Sequence, residues 1–152
     1  MPREILLNAF DMNCVAHIVA GTWRHPESQA ARYKDLRYWT DLARLLERGL
    51  FDGIFIADVL GVYDVYGGSP AAALRSGAQI PVNDPLLTVS GMAAVTEHLG
   101  FGVTAATTFE HPYSFVMYTA VATIANAIAI GPFHFGLTMH YPSPAIASDP
   151  PR

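Results

Sequence analysis

The stretch L-E-R-G-L-F-D-G-I-F-I-A-D, residues 46–58, decides the fold predicted for this chain. Residues 53–57 form a short apolar run that ends in Asp58. A run that is apolar at every position is typical of a parallel β-strand covered on both faces. Asp58 is therefore predicted to lie at the carboxyl end of a buried strand.

The segment before this strand predicts an amphipathic helix over residues 33–50. Its apolar residues recur at helical spacing, and its charged residues fall on the opposite side. Gly49 is predicted to end the helix, because glycine adopts without steric cost the left-handed conformation common at helix ends. The residues expected on the buried stripe are Trp39, Leu42, Ala43, Leu46 and Leu50.

Two more strands and a second helix are predicted around this centre. Residues 5–10 and 101–109 are the other apolar runs of strand length. Asp84 and Pro85 are typical of the start of a helix, which Gly100 is expected to end. Residues 11–30 show neither the helical nor the strand period, and residues 61–84 carry four glycines and two prolines, so both segments are predicted to be long loops. The buried side of the second helix is expected to comprise Leu87, Gly91, Ala94, Val95 and Leu99.

The alternation of strand and helix predicts an α/β fold with a parallel sheet and right-handed crossovers. A doubly wound sheet normally carries a glycine-rich nucleotide turn after its first strand, and no G-x-G-x-x-G or P-loop is present there. In a (β/α)8 barrel the chemistry lies in long loops after the strands, and both long loops here follow strands. The prediction is the N-terminal portion of a (β/α)8 TIM barrel, with about three βα units.

Composition argues against several classes of function. The net charge is −4 and no basic cluster occurs along the chain, so nucleic acid is not an expected partner. None of the six histidines has a partner at metal-binding spacing, so no metal is expected. The single Cys14 forms no disulfide within the chain, and the N-terminus has no signal-peptide pattern. These features predict a cytoplasmic protein without a membrane span.

Several stretches, in this order, resemble one family. They are LNAF at residues 7–10, HIVAGTWRHP at 17–26, YWTDLARLLERGLFDGIFIADVLGVYDVYGG at 38–68, and DPLLTVSGMAAVTEHLGFGVTAATTFEHPYSF at 84–115. Residues 5–115 resemble the luciferase-like flavin-dependent monooxygenases, in the branch of the nitrilotriacetate and dibenzothiophene-sulfone monooxygenases. The resemblance implies a (β/α)8 barrel that takes reduced FMN from a separate flavin reductase and oxidises a small organic substrate with O2.

The resemblance also gives roles to particular residues. It implies that Asp58 lies near the flavin ring, whereas an acid after a strand otherwise most often caps the following turn. It places Ala106 and Thr107 against the flavin, where a non-prolyl cis peptide can occur; a plain buried strand is an equally good interpretation. Phe10, His17 and Trp23 are candidates for the substrate pocket, although a lone His or Trp in a loop is more often simply packed. No catalytic residue is assigned, because the cofactor carries most of the chemistry.

Residues 116–152 depart from the family pattern, so residues 1–115 are assigned to the barrel and 116–152 to an atypical apolar tail. Residues 116–148 contain no Asp, Glu, Lys or Arg. The apolar part is too short to span a membrane. The remaining explanations are an alternative third helix and a change of reading frame or gene fusion near residue 115, of which we favour the second.

An incomplete barrel has consequences for function. A (β/α)8 barrel takes about 250 residues, and three or four units leave open sheet edges. The alternative to a monooxygenase is therefore an inactive truncated member of the family, or a module that self-associates as a homo-oligomer or aggregates through its sheet edge and apolar tail.

Overall fold

The fold was derived from a computed structural model, which describes residues 5–15, 21–105, 111, 113 and 135–139. Its strands and helices are, in chain order, β1 Asn8–Met12, α1 Leu36–Arg48, β2 Gly53–Ala57, α2 Ala71–Ser76, α3 Leu86–Ala93, β3 Gly100–Ala105 and β4 Phe135–Met139. Short 3-10 turns occupy Thr22–Arg24, Ala30–Arg32 and Tyr66–Gly68. Within the described residues, no helix is long and apolar enough to cross a membrane.

The four strands form one parallel sheet in the order β1-β2-β3-β4. Each strand lies beside the strand that precedes it in the chain, so the order never reverses as it does in a doubly wound sheet. The parallel α/β prediction is confirmed, and β2 has the predicted bounds. β1 begins and ends slightly later than the predicted run of residues 5–10.

β4 was not predicted, and it lies within the segment assigned to the apolar tail. It pairs with β3 along its whole length, from Phe101 opposite Phe135 to Ala105 opposite Met139. The rest of the tail, including the proposed alternative helix, lies outside the described residues. Residues 116–148 contain no Asp, Glu, Lys or Arg, so no charged residue marked where a strand begins or ends.

One face of the sheet is covered by helices. Ile54 and Ile56 of β2 and Val103 of β3 lie on this face, in one core with the buried stripe of α1. That stripe comprises Trp39, Ala43 and Leu46, with Leu42 partly buried, so its centre is as predicted. The opposite face carries Phe10, Met12, Phe55 and Ala57, because side chains alternate along a strand.

α1 ends at Arg48 with Gly49 as its C-cap, as predicted, but the left-handed residue and the side chain of Leu50 differ from the prediction. Gly49 has a right-handed φ of −79°, and the left-handed residue is Leu50 with φ 59°. The Leu50 N–H donates to the Glu47 carbonyl and the Phe51 N–H to the Leu46 carbonyl, which is a Schellman motif. Leu50 is 83% exposed and does not extend the buried stripe, because the left-handed turn points it away from the core.

α3 starts as predicted but buries a different face. The Asp84 carboxylate accepts a hydrogen bond from the Leu86 N–H at 2.9 Å, and the helix ends at Ala93 well before Gly100. Leu87 is 73% exposed, Ala94 is exposed, and Gly91 and Val95 are only partly buried; of the predicted face, Leu99 alone is buried. The helix is apolar on most sides, so periodicity could not identify the side that faces the sheet. The buried residues of α3 are Thr88, Val89, Met92 and Ala93.

Asp52 connects three strands at their amino-terminal ends. Its carboxylate accepts a hydrogen bond from the Leu7 N–H at 2.7 Å, and its own N–H donates to the Leu7 carbonyl at 2.9 Å. Its carbonyl accepts from the Gly100 N–H at 2.8 Å. One residue thus fixes the alignment of β1, β2 and β3.

Glu47 joins the end of α1 to the segment before β3. Its Oε1 accepts hydrogen bonds from the N–H groups of Glu97 at 2.7 Å, His98 at 2.6 Å and Leu99 at 3.2 Å. Burial opposes ionisation of this carboxyl, but the three backbone donors outweigh it and hold the pKa of Glu47 below its ordinary value of 4.5. The ionised form is therefore the one that stabilises the fold.

Replacing Glu47 with Gln is expected to lower the free energy of unfolding by about 1 kcal/mol at neutral pH, a modest value because the carboxylate is partly exposed. A depressed folded-state pKa contributes stability above the ordinary pKa, and this contribution is lost as pH falls through the folded-state value. The difference between the wild type and E47Q should thus be constant above about pH 5 and shrink below it. Urea unfolding at several pH values measures this; a difference that grows on acidification would contradict the assignment.

Candidate functional site

The candidate site lies at the carboxyl ends of β1 and β2. Asp58 directly follows β2 and is half-buried there, at the edge where parallel strands of a barrel carry their functional residues. An apolar cluster lies beside it, formed by buried Met12, Cys14 and Ala57 and by the packed side chains of Phe55 and Val82. The site therefore combines the carboxylate of Asp58 with an adjacent apolar cluster.

Phe10 lies on the face of the sheet opposite α1 and α3. Its ring centroid lies 5.8 Å from that of Phe55, with the two planes tilted by 31°. Phe10 is 53% exposed although it is a strand residue. The two rings offer an aromatic surface next to the apolar cluster. Phe10 lies in the middle of β1, and its role in a substrate pocket stays a prediction.

Two buried carboxamides in the loops around the site were not predicted. Asn13 follows β1 and is 1% exposed; its backbone carbonyl accepts a hydrogen bond from the Asn83 N–H at 2.9 Å. Gln79 is also 1% exposed and has a left-handed φ of 64°, just before the cis bond between Ile80 and Pro81. No described group accepts from or donates to either side-chain polar atom of Gln79, or donates to the Asn13 Oδ1.

An unsatisfied buried polar group and a strained backbone are both features that concentrate at ligand sites. A single Gln or Asn in a loop gives no signal in the sequence, so these residues could not have been identified without the structure. Asn13 also borders a cavity of about 320 Å³ between the first loop and the starts of α1 and α3. That cavity lies in the helical layer, where Trp39 and Leu87 contribute to its wall.

Asp11 and Tyr38 form a hydrogen-bonded pair between β1 and α1. The Tyr38 hydroxyl donates to Oδ2 of Asp11 at 3.0 Å, and the Met12 N–H donates to Oδ1 at 2.8 Å. Burial raises the pKa of Asp11, and the two hydrogen bonds only partly offset it. Burial and the adjacent carboxylate raise the pKa of Tyr38, so the phenol remains protonated and donates.

The other predicted site residues are less well placed or undescribed. Trp23 is half-buried in the first 3-10 turn, where the Arg24 guanidinium lies 5.9 Å from the centroid of its ring. His17, Ala106 and Thr107 lie outside the described residues, so their predicted roles stay predictions. Among the residues that the structure describes, no group of three or more His, Cys, Asp or Glu side chains could hold a metal ion.

Sequence comparison identifies a family and several relatives. Residues 12–129 match the family described as luciferase-like monooxygenase. The dimethyl-sulfide monooxygenase of Hyphomicrobium sulfonivorans is 69% identical over 113 residues, which are 74% of this chain and 24% of that protein. The long-chain alkane monooxygenase of Geobacillus thermodenitrificans is 61% identical over 113 residues, 74% of this chain and 26% of that one. Component A of the nitrilotriacetate monooxygenase of Aminobacter aminovorans is 31% identical over 113 residues, 72% of this chain and 25% of that one.

Solved structures agree with these relatives. DmoA from Hyphomicrobium sulfonivorans superimposes with a TM-score of 0.81 at 57% identity, over 91% of this chain and 29% of that one. A riboflavin lyase solved with modified FMN and riboflavin superimposes with a TM-score of 0.76 at 28% identity, over 90% of this chain and 30% of that one. The chain thus spans about a quarter of the length of its curated relatives, and its sheet is part of a barrel, as predicted.

Proposed function

The chain belongs to the luciferase-like monooxygenase family, and from this we propose that it forms the first part of the barrel of a two-component monooxygenase. The proposed reaction oxidises a small organic substrate with O2 and reduced FMN. The observation that carries the proposal is the position of Asp58, half-buried after β2 and next to an aromatic and apolar sheet face.

The residues at this site fit a flavin. An isoalloxazine ring is planar and apolar at one end and carries hydrogen-bonding groups at the other. Phe10 and Phe55 provide an aromatic surface for the ring, while the Asp58 carboxylate is an acceptor and the Gln79 carboxamide offers both a donor and an acceptor. The riboflavin lyase solved with modified FMN supports the choice of flavin.

Each group at the site has a proposed task. When bound, reduced FMN supplies the electrons for activation of O2. The apolar cluster of Met12, Cys14, Ala57 and Val82 excludes water from the ring, and Asp58 orients it. A separate flavin reductase is proposed as the partner that supplies FMN, because one relative is named as component A of its system.

The proposed substrate is small and apolar. The relatives with the highest identity quoted above are named for dimethyl sulfide and long-chain alkanes. The exposed large side chains that directly follow Asp58 are apolar or aromatic, namely Val59, Leu60, Val62 and Tyr63. A loop of this kind at the mouth of the site favours apolar molecules over charged ones.

Flavin binding by the whole 152-residue chain tests the proposal. We expect the chain to quench FMN fluorescence on titration, and Asp58→Asn to weaken binding roughly tenfold, which corresponds to about 1.4 kcal/mol. Asp64→Asn is the matched control, because Asp64 is an exposed acid in the same loop, and it should bind FMN like the wild type. If FMN is not bound, or if both variants bind equally, the second candidate function applies, which is an inactive member of the family.

A further inference from the structure

The cavity between the first loop and the starts of α1 and α3 has the properties of a second ligand site. Its volume of about 320 Å³ is at the lower end of the range for small-molecule sites. The wall residues that the structure describes belong to segments 13–39 and 83–88, so two consecutive βα units form it. The cavity is in the helical layer, on the other side of the sheet from Phe10 and Phe55.

Much of the wall is apolar. Trp39 and Tyr33 line the cavity and are buried, whereas Leu36 and Leu87 line it and are largely exposed. A ligand that contacts these two leucines removes apolar surface from water, which favours binding. The cavity therefore suits a molecule with a small apolar body.

The buried polar groups of the wall have used their hydrogens within the protein. The Trp39 indole N–H donates to the Tyr33 carbonyl at 2.6 Å. The Thr88 hydroxyl donates to the Pro85 carbonyl at 2.8 Å, so the Thr88 oxygen can only accept a hydrogen bond from a ligand. This part of the wall therefore favours a ligand that donates.

Asn13 provides a second acceptor. Its Nδ2 donates to the Asp84 carbonyl at 3.4 Å, and no described group donates to its buried Oδ1. Because 3.4 Å is long for a hydrogen bond, the carboxamide is held weakly, and a small rotation can bring Oδ1 to a donor in the cavity. Such a donor would remove the cost of leaving this acceptor buried and unsatisfied.

The charged residues of the wall favour neither an anion nor a cation. Lys34 and Asp84 both line the cavity and are exposed, and they carry opposite charges. The two fields offset each other, so a neutral ligand is expected. An alcohol is a neutral donor, whereas an aliphatic amine is charged at neutral pH.

We propose that this cavity binds a small neutral alcohol with an apolar body. The hydroxyl of the ligand donates to the Asn13 Oδ1 or the Thr88 Oγ1, and the apolar body contacts Trp39, Leu36 and Leu87. The cavity and the surface proposed for the flavin lie on opposite sides of the sheet, so this inference does not rest on the proposed function.

Binding of p-fluorobenzyl alcohol to the whole chain, followed by fluorine NMR without FMN, tests the inference. We expect saturable binding of the alcohol. The affinity for p-fluorotoluene, which has the same ring but no donor, should be about fivefold lower, as one lost hydrogen bond implies. This comparison is made on the wild type and does not depend on the folding of any variant. Equal affinities for the two compounds, or no saturable binding of the alcohol, would overturn the inference.

Three variants locate the bound alcohol. Leu87→Trp fills the cavity from an exposed position and should abolish saturable binding. Leu45→Trp is the matched control, because Leu45 is an exposed leucine of α1 that is not among the wall residues, and it should bind like the wild type. Asn13→Leu combined with Thr88→Val removes both acceptors and should bind the two compounds alike. Unchanged binding by L87W would place the alcohol elsewhere, and a preference for the alcohol that survives in the double variant would refute the assigned acceptors.

Discussion

Replacing Trp39 with Ala is expected to destabilise the chain by about 3–5 kcal/mol, the largest effect of any single substitution considered. Trp39 is fully buried between α1 and the sheet, in one core with Ile54 and Ile56. Its indole N–H donates to the Tyr33 carbonyl at 2.6 Å, and its ring meets Tyr38 edge to face with centroids 5.3 Å apart. Truncation leaves a large cavity and an unsatisfied carbonyl. Urea unfolding followed by circular dichroism measures the loss.

A second variant separates packing from hydrogen bonding at this position. Trp39→Phe keeps an aromatic ring but removes the hydrogen-bond donor. It should therefore lower the free energy of unfolding by roughly 1–3 kcal/mol, which is part of the loss expected for W39A. If W39A unfolds at nearly the same urea concentration as the wild type, Trp39 does not hold α1 to the sheet. If W39F lowers the free energy of unfolding as much as W39A does, the whole effect comes instead from the lost hydrogen bond to the Tyr33 carbonyl.

Replacing Gln79 with Leu is expected to stabilise the chain by about 1–3 kcal/mol, against the usual direction of core substitutions. The carboxamide is fully buried, and neither of its polar atoms has a hydrogen-bond partner among the described residues. Leucine has a similar size and removes this desolvation penalty, while the backbone strain at φ 64° is the same for both side chains. The stabilities of the wild type and Q79L are compared by thermal unfolding without ligand.

The gain in stability should be accompanied by a loss of FMN affinity if the Gln79 carboxamide meets the flavin. Gln29→Leu is the control, because Gln29 is an exposed glutamine and its replacement should change stability by less than about 0.5 kcal/mol. Destabilisation by Q79L would mean that the carboxamide is satisfied in solution. Stabilisation with unchanged FMN binding would remove Gln79 from the proposed site.

Local patterns predicted those elements in which burial is uniform or strictly periodic. β2 is buried on both faces, so its bounds and the position of Asp58 followed from an uninterrupted apolar run. The α1 stripe was identified because charged residues mark the opposite side. At Leu50 the prediction was wrong because the hydrogen-bonding pattern of the turn, rather than the glycine, determines which residue becomes left-handed. On α3 it was wrong because the helix has no polar side.

The positions of candidate residues could be predicted only where these residues belong to a strand or directly follow one. Asp58 and Phe10 were chosen as candidates from their positions after or within apolar runs; Asp58 does follow β2 and Phe10 lies within β1, while their roles at a ligand site stay predictions. Asn13 and Gln79 are buried by loops that fold back over the strands, and contacts between distant loops leave no local pattern. The placement of His17, Ala106 and Thr107 remains a prediction.

The three hydrogen bonds of Asp52 lie at the opposite end of the strands from Asp58. A slip of β1 or β3 by one residue would break the bonds at Leu7 or Gly100, so the alignment of the sheet is secured at the end opposite the proposed flavin site. Changes in the loops around Asp58 should therefore leave the hydrogen bonds of Asp52 intact. A protein engineer could randomise residues 59–66 to select new substrates without changing the register of the strands beneath them.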